Sequence, residues 1–167
     1  MKTKKVIANH STRRAVARRV EKTGNAIALP MNLEKARVDC LACFKGGKLP
    51  PPAKAGVTCL GHKCPSKAGA IDVVIIAALS GNYDVAGLLS ALIEADNKYG
   101  RKDTPDALDK RIRDHCAMKR NGTCYLGGRV HLTRPHNLTA DQAKAIGRFA
   151  ALLSVPLRTA LKQSPKK

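Results

Sequence analysis

From Ile71 to Asn97 the chain carries no Lys or Arg, and that gap decides where a core has to form. Everywhere else the sequence is basic. The formal net charge is +19, from 31 Lys and Arg against 12 Asp and Glu. A compact body cannot bury like charges without partners, so the cation-free stretch is the core-forming part and its flanks are the surface. Its four acids, Asp72, Asp84, Glu94 and Asp96, are scattered along it rather than paired.

Periodicity places helices in and after this stretch. Ile71 to Leu79 is nearly all apolar, and its alanines favour a buried helix over a buried strand. Val85, Leu88, Leu89, Leu92 and Ile93 then recur on one helical face, and Ser80-Gly81-Asn82 joins the two runs as a hairpin. Thr104, Pro105 and Asp106 form a helix start: a cap, a residue suited to the first turn, and a negative charge at the positive end of the dipole. Leu108, Ile112 and Cys116 continue that helix to Asn121-Gly122. Thr123 to Leu132 reads as a β-hairpin turning at Gly127-Gly128. Thr139-Ala140-Asp141-Gln142 is a capping box opening a last helix with Ile146, Phe149, Ala150 and Leu153 on its apolar face. A break or kink is expected at Val155-Pro156, with one more short helix from Leu157 to Gln163.

The chain of 167 residues is long enough for one domain with a real core. Aromatics make up 3% and Trp is absent, so aliphatic side chains build the core, which favours helices. The expected fold is mainly α, with a small zinc-stabilised loop or β-knuckle and one short β-hairpin, an α+β arrangement. Its expected parts are a basic arm (1–22), a zinc-knuckle region (23–70), a helical body (71–163) with the hairpin near 123–132, and a basic tail (164–167). Arg13 to Glu21 suits a short basic helix or part of the arm, and Ala26 to Leu29 a short strand.

Four cysteines follow the pattern C-x2-C-x15-C-x4-C: Cys40, Cys43, Cys59 and Cys64. Paired sulfurs at such spacing, returned by a loop, suit a tetrahedral zinc ion. Gly46-Gly47 and Pro50-Pro51-Pro52 between the pairs forbid a long helix there. His62 is an alternative ligand or a hydrogen-bond partner to one. With four protein ligands the Zn2+ would be structural. Disulfides are the weaker reading, because MKTKKVIANHSTRR lacks the apolar region of a secretory signal. His115, Cys116, Cys124 and His131 form a looser set that offers a second metal site.

A charge of +19 calls for a polyanion, and nucleic acid is the first candidate. The expected location is cytoplasmic, nucleoid or nuclear, not secreted, and no membrane partner is expected, since Val73 to Leu79 is too short to span a bilayer. The candidate phosphate-binding residues are Arg13, Arg14, Arg18, Arg19, Lys45, Lys48, Lys63, Lys67, Lys110, Arg113, Arg120 and Arg158. Ile146 to Lys162 (IGRFAALLSVPLRTALK) resembles a helix-turn-helix, which would aim Arg158 and Thr159 at bases; the alternative is a kinked amphipathic helix packed on the core. With Phe44, Tyr83, Tyr99, Tyr125 and Phe149 its only aromatics, the chain is a poor single-strand stacking platform.

No GxGxxG, GxxxxGK or GxSxG occurs, so no enzyme is expected. The expected function is nucleic-acid binding through phosphates, in transcriptional regulation or a ribonucleoprotein. The alternative is a zinc-containing adaptor gripping a protein such as a polymerase. The third reading is a metal-dependent nuclease using His62 or His131.

Overall fold

The computed structural model describes residues 30, 32–64, 66–100, 103–121, 123–126, 129–132 and 138–164. The arm expected over 1–22, the strand expected over 26–29 and all but the first residue of the tail lie outside them, as do Arg13, Arg14, Arg18 and Arg19. The protein is mainly helical. The described helices are α1 (Leu33–Ala42), α2 (Lys67–Leu79), α3 (Val85–Lys98), α4 (Pro105–Asn121) and α5 (Ala140–Gln163). A single 3-10 turn, Lys45–Gly47, follows α1. Between α4 and α5, Thr123–Leu126 (β1) and Arg129–Leu132 (β2) pair antiparallel, with Thr123 opposite Leu132 and Leu126 opposite Arg129.

Capping chemistry sets the helix starts. Ser66 accepts from the Gly69 amide at 3.0 Å to open α2. Asp84 accepts from the Gly87 amide at 3.1 Å to open α3. Thr104 accepts from the Ala107 amide at 3.2 Å ahead of Pro105. At α5 the capping box is complete: Thr139 Oγ1 accepts from the Gln142 amide at 3.2 Å, and Gln142 Oε1 accepts from the Thr139 amide at 2.9 Å. Each cap satisfies donors that the first turn leaves unpaired, worth about 1 kcal/mol.

The longest helix organises the core. α5 lies along α4 and also touches α1, α2 and α3. Ile146, Phe149, Leu153 and Leu157 of α5 are fully buried, as are Ile71, Ile75 and Leu79 of α2, Leu92 of α3 and Ile112 of α4. One apolar cluster joins these to Leu33, Cys40, Phe44, Cys59 and Leu60. Residues 33–60 therefore share their core with the helical body.

Two local expectations are corrected. α5 runs unbroken from Ala140 to Gln163 with Pro156 inside it, so there is no turn and no separate recognition helix. Proline removes the hydrogen bond to the Leu152 carbonyl at a cost of about 3 kcal/mol. Continuing the helix buries Leu157, Ala160 and Leu161, and the two leucines alone return about 2 kcal/mol each. The second correction is α1, which the cysteine pattern concealed. Leu33, Cys40 and Phe44 bury the inner face of that segment at the seven- and four-residue steps of a helix.

Candidate functional site

The segment from Phe44 to Ser66 contains no Asp or Glu and is folded by backbone hydrogen bonds of its own. The Thr58 amide donates to the His62 carbonyl at 2.7 Å, and the Gly61 amide to the Thr58 carbonyl at 3.0 Å. Gly61 takes φ of 101° in this turn, a conformation that side chains resist. The Cys64 amide reaches the Gly56 carbonyl at 2.9 Å. The loop then lies directly on Gly69: a Cβ there would stand 1.9 Å from the Lys63 carbonyl oxygen.

That turn delivers Thr58 and His62 to Asp72, a carboxylate with no solvent exposure at the start of α2. Thr58 Oγ1 donates to Asp72 Oδ2 at 2.6 Å. His62 Nδ1 lies 2.9 Å from the same oxygen, and His115 Nε2 from α4 lies 2.8 Å from Oδ1. The His62 amide donates to Thr58 Oγ1 at 3.2 Å. The two rings stand 5.0 Å apart, tilted by 49°, so they converge on the carboxylate rather than stack. Asp72, His115 and Thr58 are buried, and His62 reaches solvent with 29% of its side chain.

One ligand atom from each of His62, Asp72 and His115 lies within 4.8 Å of the others, so the group could hold a metal ion. Among the described residues it is the only such group of three or more His, Cys, Asp or Glu. Cys40, Cys43, Cys59 and Cys64 do not form one. Cys40 is inside α1 and buried, and Cys59 is buried in the loop, while Cys43 and Cys64 are exposed. Cys43 ends α1 and directs its thiol to the Asp39 carbonyl at 3.5 Å. Burial, followed by the neighbouring Cys43, pushes the Cys40 thiol up to about 12, so it stays protonated at neutral pH. The C-x2-C pair thus closes a helix instead of making a knuckle turn. Among the looser set, His115 joins Asp72 and Cys116 is buried. Cys124 and His131 are opposite each other in the β1–β2 register; their side chains lie outside the described residues.

The cations divide into two groups. Lys67 lies 2.9 Å from Asp103 and 3.3 Å from Asp96, and Arg111 pairs with the same two carboxylates. Arg158 grips Asp109 of α4 in two hydrogen bonds, Nε to Oδ1 at 2.8 Å and Nη2 to Oδ2 at 3.1 Å. That hydrogen bonding holds the Asp109 carboxyl below, and the Arg158 guanidinium above, their ordinary values. Lys67 and Arg158, expected on phosphates, thus hold helices together. Arg113 is exposed and lies 3.4 Å from its neighbour Asp114. Lys45, Lys48, Lys54 and Lys63 stand exposed on the loop, and Lys110 is exposed on α4. The side chain of Arg120 lies outside the described residues.

Asp72 escaped sequence reasoning as a site residue, and His115 was placed only in the looser set with Cys116, Cys124 and His131, not with His62. The available signal was a lone carboxylate inside the apolar run IDVVIIAAL, since a buried charge requires partners. No family model, no curated protein and no solved structure matches the chain.

Proposed function

We propose that the protein binds nucleic acid through phosphate contacts, with the loop from Phe44 to Ser66 as its main contact surface. The observation that carries this reading is charge placement. Lys45, Lys48, Lys54 and Lys63 are exposed on a stretch that has no acid between Asp39 and Asp72. Lys67, Arg111 and Arg158, in contrast, meet internal carboxylates. Phosphate chains reward such a surface because each neutralised phosphate releases counterions. With few aromatics to stack on bases, contacts of this kind give modest sequence preference. The reading includes a zinc-stabilised loop and a hairpin closed at Gly127-Gly128. A regulator of transcription and a component of a ribonucleoprotein both suit it.

A second reading has a specific basis. Leu41, Leu49, Pro50, Val57, Val73 and Ile76 line a groove of about 660 Å³ between the loop and α2. Val73 is half exposed there, which suits a protein partner. Titration of labelled DNA duplex and of labelled RNA at two salt concentrations separates the readings. Nucleic-acid binding gives affinity that falls steeply with salt; absence of binding even at low salt leaves the adaptor.

A further inference from the structure

We propose that His62, Asp72 and His115 bind one divalent first-row transition ion, zinc by preference, which fastens the lysine-bearing loop to α2 and α4. This inference does not depend on the nucleic-acid reading. The three residues come from three separate elements, and one ligand atom of each lies within 4.8 Å of the others. The donor set selects the metal class. Two imidazoles and one carboxylate suit zinc and its first-row neighbours, whereas calcium and magnesium demand oxygen.

The spacing suits an ion after a small adjustment. Zinc bonds of about 2.0–2.1 Å in a tetrahedron set neighbouring ligands about 3.3 Å apart. His62 Nδ1 is 2.9 Å from Asp72 Oδ2 and His115 Nε2 is 2.8 Å from Oδ1, so an ion shared by the carboxylate and both rings needs each contact to open by a few tenths of an ångström. Asp72 is also prepared as a ligand carboxylate. The buried Thr58 hydroxyl donates to its Oδ2 at 2.6 Å, the kind of outer hydrogen bond that orients a metal-binding carboxylate.

Charge points the same way. Asp72 has no contact with solvent, and a buried carboxylate requires a compensating positive charge. A divalent ion supplies it. His62 is the solvent side of the group, so water completes the coordination shell there. The bound ion would join residues up to 53 positions apart in sequence, from His62 to His115. Its binding free energy becomes folding free energy for a loop that has little core of its own.

The experiment uses the full chain. Elemental analysis after dialysis, and zinc titration of the chelator-treated protein, are expected to give one ion per chain. His62→Ala, at the partly exposed position, is expected to abolish stoichiometric binding while the helical circular dichroism stays. Thr58→Val is expected to weaken zinc affinity about tenfold. Cys43→Ser and Cys64→Ser, both at exposed positions, are expected to retain the ion. Chelation is expected to speed trypsin cleavage after Lys54 and Lys63. A folded chain that takes up no stoichiometric zinc overturns the proposal. So does unchanged affinity in His62→Ala, or loss of the ion in either serine variant, which would place it on sulfur.

Discussion

Asp72 and His115 are 43 positions apart in sequence and meet at 2.8 Å in the interior, where α2 and α4 come together. Removing the imidazole takes away a hydrogen bond to a buried carboxylate and leaves a cavity. His115→Ala is expected to cost about 3 kcal/mol of stability. Urea unfolding at neutral pH measures it. A loss within about 0.5 kcal/mol, the range of an ordinary exposed position, would show that this contact does not hold the helices.

Gly69 is where the loop touches α2 most closely. A methyl group there meets the Lys63 carbonyl oxygen at 1.9 Å and its carbon at 2.8 Å. These are backbone atoms and cannot rotate away. Helix propensity favours alanine over glycine by about 1 kcal/mol, yet overpacking costs about 1–3 kcal/mol and here moves the turn that presents His62. Gly69→Ala is therefore expected to lower the melting temperature, whereas Gly87→Ala meets only the Asp84 side chain and changes it less. A stabilised Gly69→Ala would mean that the loop does not lie on α2.

How much of this was legible in the sequence depends on the range of the interaction. The capping box at Thr139 and Gln142, the Thr104-Pro105 start and the α2–α3 hairpin depend on neighbours in the chain, and each was read correctly. At Pro156 the local cost is visible in sequence and suggests a break, whereas the burial of Leu157 and Leu161 that favours the other reading, an amphipathic helix packed on the core, is tertiary. The cysteine spacing does not show where the side chains go: Cys40 belongs to a helix whose partners are on α5, so its side chain goes to the core. His62, Asp72 and His115 lie in three segments with no shared spacing. Only the folded chain brings them together.

Glu34 offers a test by pH. Hydrogen bonds from Arg37, then from Tyr83, hold its carboxyl down from the usual 4.5 to about 2. The Tyr83 contact joins α1 to the segment before α3. A depressed folded value stabilises the protein above the unfolded value, and that contribution disappears as pH falls from 4.5 towards 2. Glu34 is exposed, so solvent screening keeps the effect small. Glu34→Gln is expected to be slightly less stable than the parent at neutral pH and to converge with it as pH falls towards 2, which flattens the acid limb in that window. An acid limb identical in both proteins would show that the pair is not formed in solution.

Lys45, Lys48, Lys54 and Lys63 allow the phosphate reading to be measured against the rest of the charge. Each lysine on a phosphate adds about 0.9 to the slope of log affinity against log salt on duplex DNA. Changing all four to Gln is expected to reduce that slope by up to about 3.6. The four are exposed, so stability should shift little. Lys110→Gln and Lys144→Gln, on exposed positions of α4 and α5, remove equal charge per residue elsewhere on the surface. If contact is concentrated on the loop, they lower the slope less per residue than the loop changes do. Equal losses per lysine at all six positions would mean that binding follows net charge alone, with no defined face. An unchanged slope in the fourfold variant would remove the loop from the interface.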